Sequence, residues 1–252
     1  MAIFDPSSAA PRSGQAPSAD PGGLQAVLWD MDGTIVDTEP YWIQAEKDLV
    51  ARHGGSWSTA DAEALVGQAL SFSAGVLQRA GVDLPIRDII DHLTTAVQTR
   101  VAETAPWRPG ARELLADLKA QGIPCAMVTM SEQPLAAEVV RQLPPGTFDL
   151  LVTGDMVQRG KPDPEAYQVA FDALGGASGS LTKDRVVAIE DSLPGATSAE
   201  SAGLVTLAVP HMMALPTDRG WFQWSTLEHR SVADLNRLVH DHRPVPAEQA
   251  AR

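Results

Sequence analysis

From residue 24 to residue 40 the chain reads LQAVLWDMDGTIVDTEP, and the architecture follows from how its apolar run ends. Leu24-Gln25-Ala26-Val27-Leu28-Trp29 is too short for a buried helix, follows Gly-Gly and stops at Asp30, which fits a buried β-strand. Asp30 and Asp32 lie two apart, so in extended backbone their side chains point the same way. Gly33 allows a sharp turn behind them. Two adjacent carboxylates suit a divided task of nucleophile and acid/base, or metal ligation. A strand ending in a polar Asp-Gly turn is the plainer reading.

Outward from this point the pattern changes twice. Residues 40–104 read as helical, and Ile86, Ile89, Ile90, Leu93, Val97 and Val101 recur at helical spacing behind Pro85. After Pro106, helix and strand alternate: helix 110–121, strand 123–129, helix 134–143, strand 148–152, helix 164–174, strand 185–189, helix 194–202 and strand 204–209. Gly122 and Gly203 stand where helix C-caps belong. Such alternation predicts an α/β fold, a doubly wound Rossmann-like parallel sheet covered on both faces. The all-helical stretch is then a cap inserted after the first strand. The expected division is a disordered extension over 1–23, a core of 24–37 and 106–240, a helical cap over 38–105, and a flexible tail over 241–252.

With 32 acidic and 19 basic residues, the formal net charge is −13, which argues against a nucleic-acid partner. No apolar run approaches the roughly 18 residues of a membrane span, and residues 1–23 lack the basic and apolar regions of a secretory signal. A single cysteine, Cys125, cannot form an intramolecular disulfide, so a cytoplasmic location is expected. His53, His92 and His211 have no partners at metal-binding spacing and read as surface or packing residues, and Trp221 and Trp224 fit either a sheet edge or a partner's surface.

In open α/β sheets the ligand site lies beyond the carboxyl ends of the strands. The residues there are Asp30 and Asp32, Thr129-Met130-Ser131, and Glu190-Asp191. Glu190-Asp191 reads either as a polar helix start or as hard oxygen ligands for Mg²⁺. Two like charges ~4 Å apart cost on the order of 4 kcal/mol at an effective dielectric of ~20, so these four acids around one pocket require a cation. A divalent ion supplies it, and Lys161 adds to it. Lys161 is one of only four lysines and is fixed between Gly160 and Pro162. The hydroxyls and turn amides of Thr129, Met130 and Ser131 suit phosphate oxygens, or an ordinary N-cap.

The motifs DMDGT (30–34), VTMS (128–131), GKPDPE (160–165) and IEDSLPGATSAESAGL (189–204), in this order, resemble those of the haloacid dehalogenase superfamily. The resemblance covers residues 24–210, and the helical stretch is similar to that family's inserted cap. It implies a Mg²⁺-dependent phosphatase of small phosphorylated metabolites. Asp30 would be the nucleophile that becomes an aspartyl-phosphate, and Asp32 the general acid and base. Thr129 and Lys161 would bind the phosphoryl group, with Met130 and Ser131 beside them. Asp191, Glu190, Asp30 and the Asp32 carbonyl would serve the metal.

Departures from relatives narrow the activity. Asp32 is present, which disfavours halide displacement. The lone cap lysine, Lys47, stands too early for a Schiff base of the phosphonoacetaldehyde hydrolase kind. The β-phosphoglucomutases, the main alternative, carry a cap histidine where Trp42 stands and a cap arginine that the loop 66–71 lacks. A non-catalytic binding protein of the same fold is the second alternative, and it predicts a broken motif. The Glu39-to-Trp42 segment resembles that of sugar-phosphate phosphatases. Trp42 and Gln68 are the cap candidates for substrate contact, while Trp57 and Phe72 read as packing. Oligomeric state is not legible.

Overall fold

The computed structural model describes residues 22–65 and 68–242. Six parallel strands form one sheet: β1 (Ala26–Trp29), β2 (Cys125–Val128), β3 (Leu150–Val152), β4 (Val186–Glu190), β5 (Val205–Ala208) and β6 (Phe222–Gln223). Their order is β3-β2-β1-β4-β5-β6, with Trp29 paired to Met127 on one side and Ile189 on the other. The chain order reverses at β1, which therefore sits at a topological switch point.

Strand alternation explains the two-faced core. Val27 and Trp29 pack in one apolar cluster with Met127, Ile189 and Leu207. Ala26 and Leu28 face the opposite cluster of Val128, Tyr167 and Ala188. Both sets are almost wholly buried, as in parallel sheets covered on both sides. The helices of the α/β part are α5 (Ala111–Ala120), α6 (Gln133–Arg141), α7 (Glu165–Phe171), α8 (Leu193–Ser201) and α9 (Val232–His242). Gly122 and Gly203, with φ of 70° and 80°, end α5 and α8.

Between β1 and α5 the chain is helical: α1 (Glu39–Arg52), α2 (Thr59–Glu63), α3 (Leu70–Arg79) and α4 (Ile86–Glu103). Ile89, Ile90, Leu93, Val97 and Val101 of α4 are buried, each contributing roughly 1.5–3 kcal/mol by removal from water. Ile86, expected on the same face, is exposed instead, because it begins the helix. The crossings into and out of this unit are tied together: the Asp37 amide donates to the Pro106 carbonyl and the Arg108 amide to the Ile35 carbonyl. Arg87 of α4 forks onto Glu132 ahead of α6 with two 2.7 Å bonds.

Some expectations need correction. Gly22 and Gly23, placed in the extension, are buried, and the Gly23 carbonyl accepts from Arg185 Nε. Helix α9 runs through Asp241 and His242, which were assigned to the tail. The remaining expectations for 1–21 and 243–252 fall outside the described residues. Strand β6 and helix α9 escaped the sequence reading: two residues give no period, and α9 follows a loop. Trp221 is buried against Ala196, Ala208 and Leu215, so it closes the sheet edge rather than waiting for a partner. Among the described residues no helix is long and apolar enough to cross a membrane.

Candidate active site

The site is built where β1, β2 and β4 end. The Asp30 amide continues the ladder by donating to the Ile189 carbonyl, which fixes Asp30 at the strand tip. Gly33 then turns with φ +87°, and a Cβ there would lie 2.0 Å from Asp191 Oδ2. Glycine is therefore required both for conformation and for room. Beyond β4, Ser192 caps α8 by accepting from the Gly195 amide, which sets Glu190 and Asp191 at the helix start. Gly195 leaves space for Glu190, since a Cβ would meet its carboxylate at 1.8 Å.

Lys161 enters from the loop after β3, through a cis Lys161–Pro162 peptide. Its Nζ donates to Asp30 Oδ1 at 2.7 Å and to the Val128 carbonyl at 2.9 Å, and pairs with Glu190 Oε1 at 2.6 Å. Tyr167 of α7 donates its hydroxyl to the same Glu190 oxygen at 2.6 Å, and its ring lies 5.2 Å from Nζ. Asp30, Glu190 and Asp191 each offer an oxygen within 4.8 Å of the others, all buried.

The electrostatics are out of balance. Three buried carboxylates face one ammonium. Burial pushes Asp30 up to about 7, with Glu190 and Asp32 adding to the rise and Lys161 opposing it. Burial, then Asp30 and Glu190, drive Asp191 well above the carboxylate range. Burial disfavours the Lys161 charge, but Asp30 and Glu190 outweigh it and hold the ammonium above its ordinary range. Among the described residues Asp30 Oδ2 is buried with no hydrogen-bond partner. A hard, oxygen-seeking divalent cation fits this donor set: it supplies the missing charge and a partner for Oδ2.

Asp32 faces the same cavity, but its carboxylate stands outside the three-acid cluster. Its Oδ1 accepts from Thr38 Oγ1 at 2.5 Å and from Trp42 Nε1 at 3.4 Å. Its Oδ2 accepts from Thr129 Oγ1 at 3.0 Å and Ser131 Oγ at 2.8 Å. The Thr129 hydroxyl is thus fully buried and engaged by Asp32 and by the Ser131 amide, while Ser131 and Met130 reach the cavity lining. The Met130 sulfur accepts from the Lys161 amide at 3.2 Å, so this side chain helps seat the lysine loop.

Trp42 and Gln68 line the cavity from the helical side, together with Glu39, Glu46 and Ser73. Lys47 is spent on Thr59, away from it. Trp57 packs against the core and donates to Glu46 Oε2 at 3.0 Å, whereas Phe72 is exposed. The sequence reading missed Glu39, Glu46 and Tyr167. Glu39, Trp42 and Glu46 recur at helical spacing, so an acid on the buried face of α1 was the available signal. His211, read as surface or packing, places its Nε2 3.0 Å from Asp37 Oδ1 without hydrogen-bond geometry, a contact that becomes an ion pair when the imidazole is protonated.

Comparison with known proteins matches residues 24–203 to a family of haloacid dehalogenase-like hydrolases. A phosphorylated carbohydrates phosphatase of Thermotoga maritima is 32% identical over 186 residues, covering 72% of this chain and 82% of that protein. Hexitol phosphatase A of Escherichia coli is also 32% identical, over 190 residues, covering 72% and 81%. Among solved structures, CbbY of Rhodobacter sphaeroides in complex with xylulose-(1,5)bisphosphate superposes with a TM-score of 0.76 at 28% identity, covering 84% and 99%.

Proposed function

The chain belongs to the haloacid dehalogenase-like hydrolases, and from that membership we propose that it hydrolyses sugar-phosphate monoesters through an aspartyl-phosphate, with Mg²⁺ as cofactor. The observation that carries this reading is the constellation of Asp30, Lys161, Glu190 and Asp191, with Asp32 facing the same cavity. We assign residues 22–37 and 106–242 to the catalytic core and 38–105 to the cap.

Asp30 attacks phosphorus, forming a carboxyl O–P bond as the bond to the ester oxygen breaks. Asp32 gives its proton to the departing alcohol oxygen. It then takes a proton from the water that attacks the phosphorus, and Asp30 is regenerated as phosphate leaves. The four donors around Asp32 hold it in position for both transfers. Lys161 offsets charge on Asp30 and on the phosphoryl oxygens. Binding of those oxygens by the turn of Thr129, Met130 and Ser131 would require the Thr129 and Ser131 hydroxyls, which donate to Asp32 here, to turn toward them. Asp30, Asp191, Glu190 and the Asp32 carbonyl would hold Mg²⁺, which supplies charge neutralisation for the transferring group when bound. The cap shields the reacting centre from bulk water. Free, buried Cys125 is in keeping with a cytoplasmic enzyme.

Among the described residues lining the cavity Lys161 is the only cation, which favours a hydrolase over a mutase that must hold two phosphates. The test is phosphate release from sugar monophosphates with Mg²⁺. Release is expected to vanish in EDTA and in Asp30→Asn. Conversion of a hexose 1-phosphate to its 6-phosphate without release would replace this reading with the mutase.

A further inference from the structure

We propose that Glu46 is a specificity-determining residue: with Ser73 and Gln68 it accepts hydrogen bonds from an uncharged polyol, and it rejects substrates bearing a second anion. This rests on the phosphatase reading and concerns what leaves, not what is transferred.

Glu46 lies on α1 at only 5% exposure, yet it lines the cavity that opens onto Asp30. Among the described residues one hydrogen bond reaches its carboxylate, from Trp57 Nε1 to Oε2. Its Oε1 has no partner there. Ser73, at 4% exposure, lines the same wall, and its hydroxyl makes no hydrogen bond among the described residues. A buried carboxylate with free lone pairs is costly unless something donates to it. Here no described cation faces it: Arg52 bonds His92 and Lys47 bonds Thr59.

A hydroxyl-bearing alcohol supplies the missing donors. Each hydroxyl both donates and accepts, so one chain of hydroxyls satisfies Glu46, Ser73 and the exposed Gln68 together. Above about pH 7, where Glu46 is ionised, a second phosphate would meet its charge with no compensating cation among the described residues of that wall, and such like-charge contact is unfavourable. The CbbY relative was solved with xylulose-(1,5)bisphosphate, so on this proposal the two members of the fold would differ in the charge of the distal group they accept. A site built to hydrogen-bond substrate hydroxyls also discriminates against substrates that lack them.

The experiment compares sorbitol 6-phosphate, fructose 1,6-bisphosphate and p-nitrophenyl phosphate with Mg²⁺, in the full chain and in Glu46→Gln and Ser73→Ala. In the unmodified protein kcat/KM for sorbitol 6-phosphate should exceed that for the bisphosphate at least 10-fold. Glu46→Gln should lower the kcat/KM ratio of sorbitol 6-phosphate to p-nitrophenyl phosphate about 10-fold, mainly through KM, and Ser73→Ala should lower it several-fold. An equal loss on both substrates in both variants would mean a structural role and overturn the proposal. A preference for the bisphosphate would overturn it as well. If no ester is cleaved, p-nitrophenyl phosphate included, the phosphatase reading falls and this inference falls with it.

Discussion

Glu46 links function to stability at the scale of one residue. Burial pushes its carboxyl up to about 7, against the lowering effect of the Trp57 bond. The unfolded chain loses this proton near 4.5 while the folded chain keeps it to about 7. Between those values folding takes up a proton, so stability falls as pH rises through the window. The full shift corresponds to about 3 kcal/mol. Glu46→Gln keeps an acceptor for Trp57 and removes the charge. Thermal unfolding without substrate should show the variant 1–3 kcal/mol (roughly) more stable at pH 8, with the gap closing near pH 4. A variant less stable at pH 8 would mean the carboxylate is compensated in the fold. Asp30 and Asp32 were legible as a pair because alternation in extended backbone is a local rule. Glu46 was not, since α1 is acidic on several faces and only packing shows which acid is buried.

Among the elements, α8 sets the geometry of the acidic cluster. Its helix begins at Leu193 under the Ser192 cap, and its third residue, Gly195, lies directly against Glu190. Alanine is intrinsically the better helix former, so on propensity alone Gly195→Ala should stabilise by about 1 kcal/mol. The contact reverses the sign: the new Cβ would stand 1.8 Å from Glu190 Oε2, and Glu190 holds Lys161 and Tyr167. Overpacking of this kind costs roughly 1–3 kcal/mol. Gly195→Ala should therefore lower stability by that amount and phosphatase activity at least 10-fold, while far-UV circular dichroism is retained. Wild-type activity in the variant would show that Glu190 has room to shift. Motif reading marked this segment as a site but gave no reason for glycine at its third helical position. The reason lies in the distance between α8 and the tip of β4.

At the scale of the molecule, a cation bound by the acidic cluster would couple to folding. Asp30 comes from β1, Glu190 and Asp191 from the end of β4, and Lys161 from the loop after β3, so the charges meet only when the sheet is assembled. A ligand at 10 to 100 times its Kd stabilises by about 1.4–2.7 kcal/mol. For a chain of this size that raises Tm by roughly 3–10 °C. Adding 10 mM Mg²⁺ after EDTA should produce such a rise in the unmodified protein and none in Asp191→Asn. The variant should also melt higher than the unmodified protein in EDTA, because one uncompensated buried carboxylate is gone. An equal Mg²⁺ response in both proteins would remove Asp191 from the metal site.

Several features of this protein are written in short windows of its sequence. Apolar runs of strand length, glycine caps and the alternation after Pro106 specify a parallel sheet, because backbone geometry and burial act over a few residues. The strand-end motifs place Asp30, Lys161, Glu190 and Asp191 at that sheet's carboxyl edge for the same reason. Tertiary structure alone decided what depends on elements meeting: the Asp32 carboxylate turned to Thr38, Thr129 and Ser131, Tyr167 brought under Glu190, and Glu46 enclosed with Trp57. It also decided that two residues at Phe222 complete the sheet, since so short a strand is specified by its neighbour β5 and not by any period of its own.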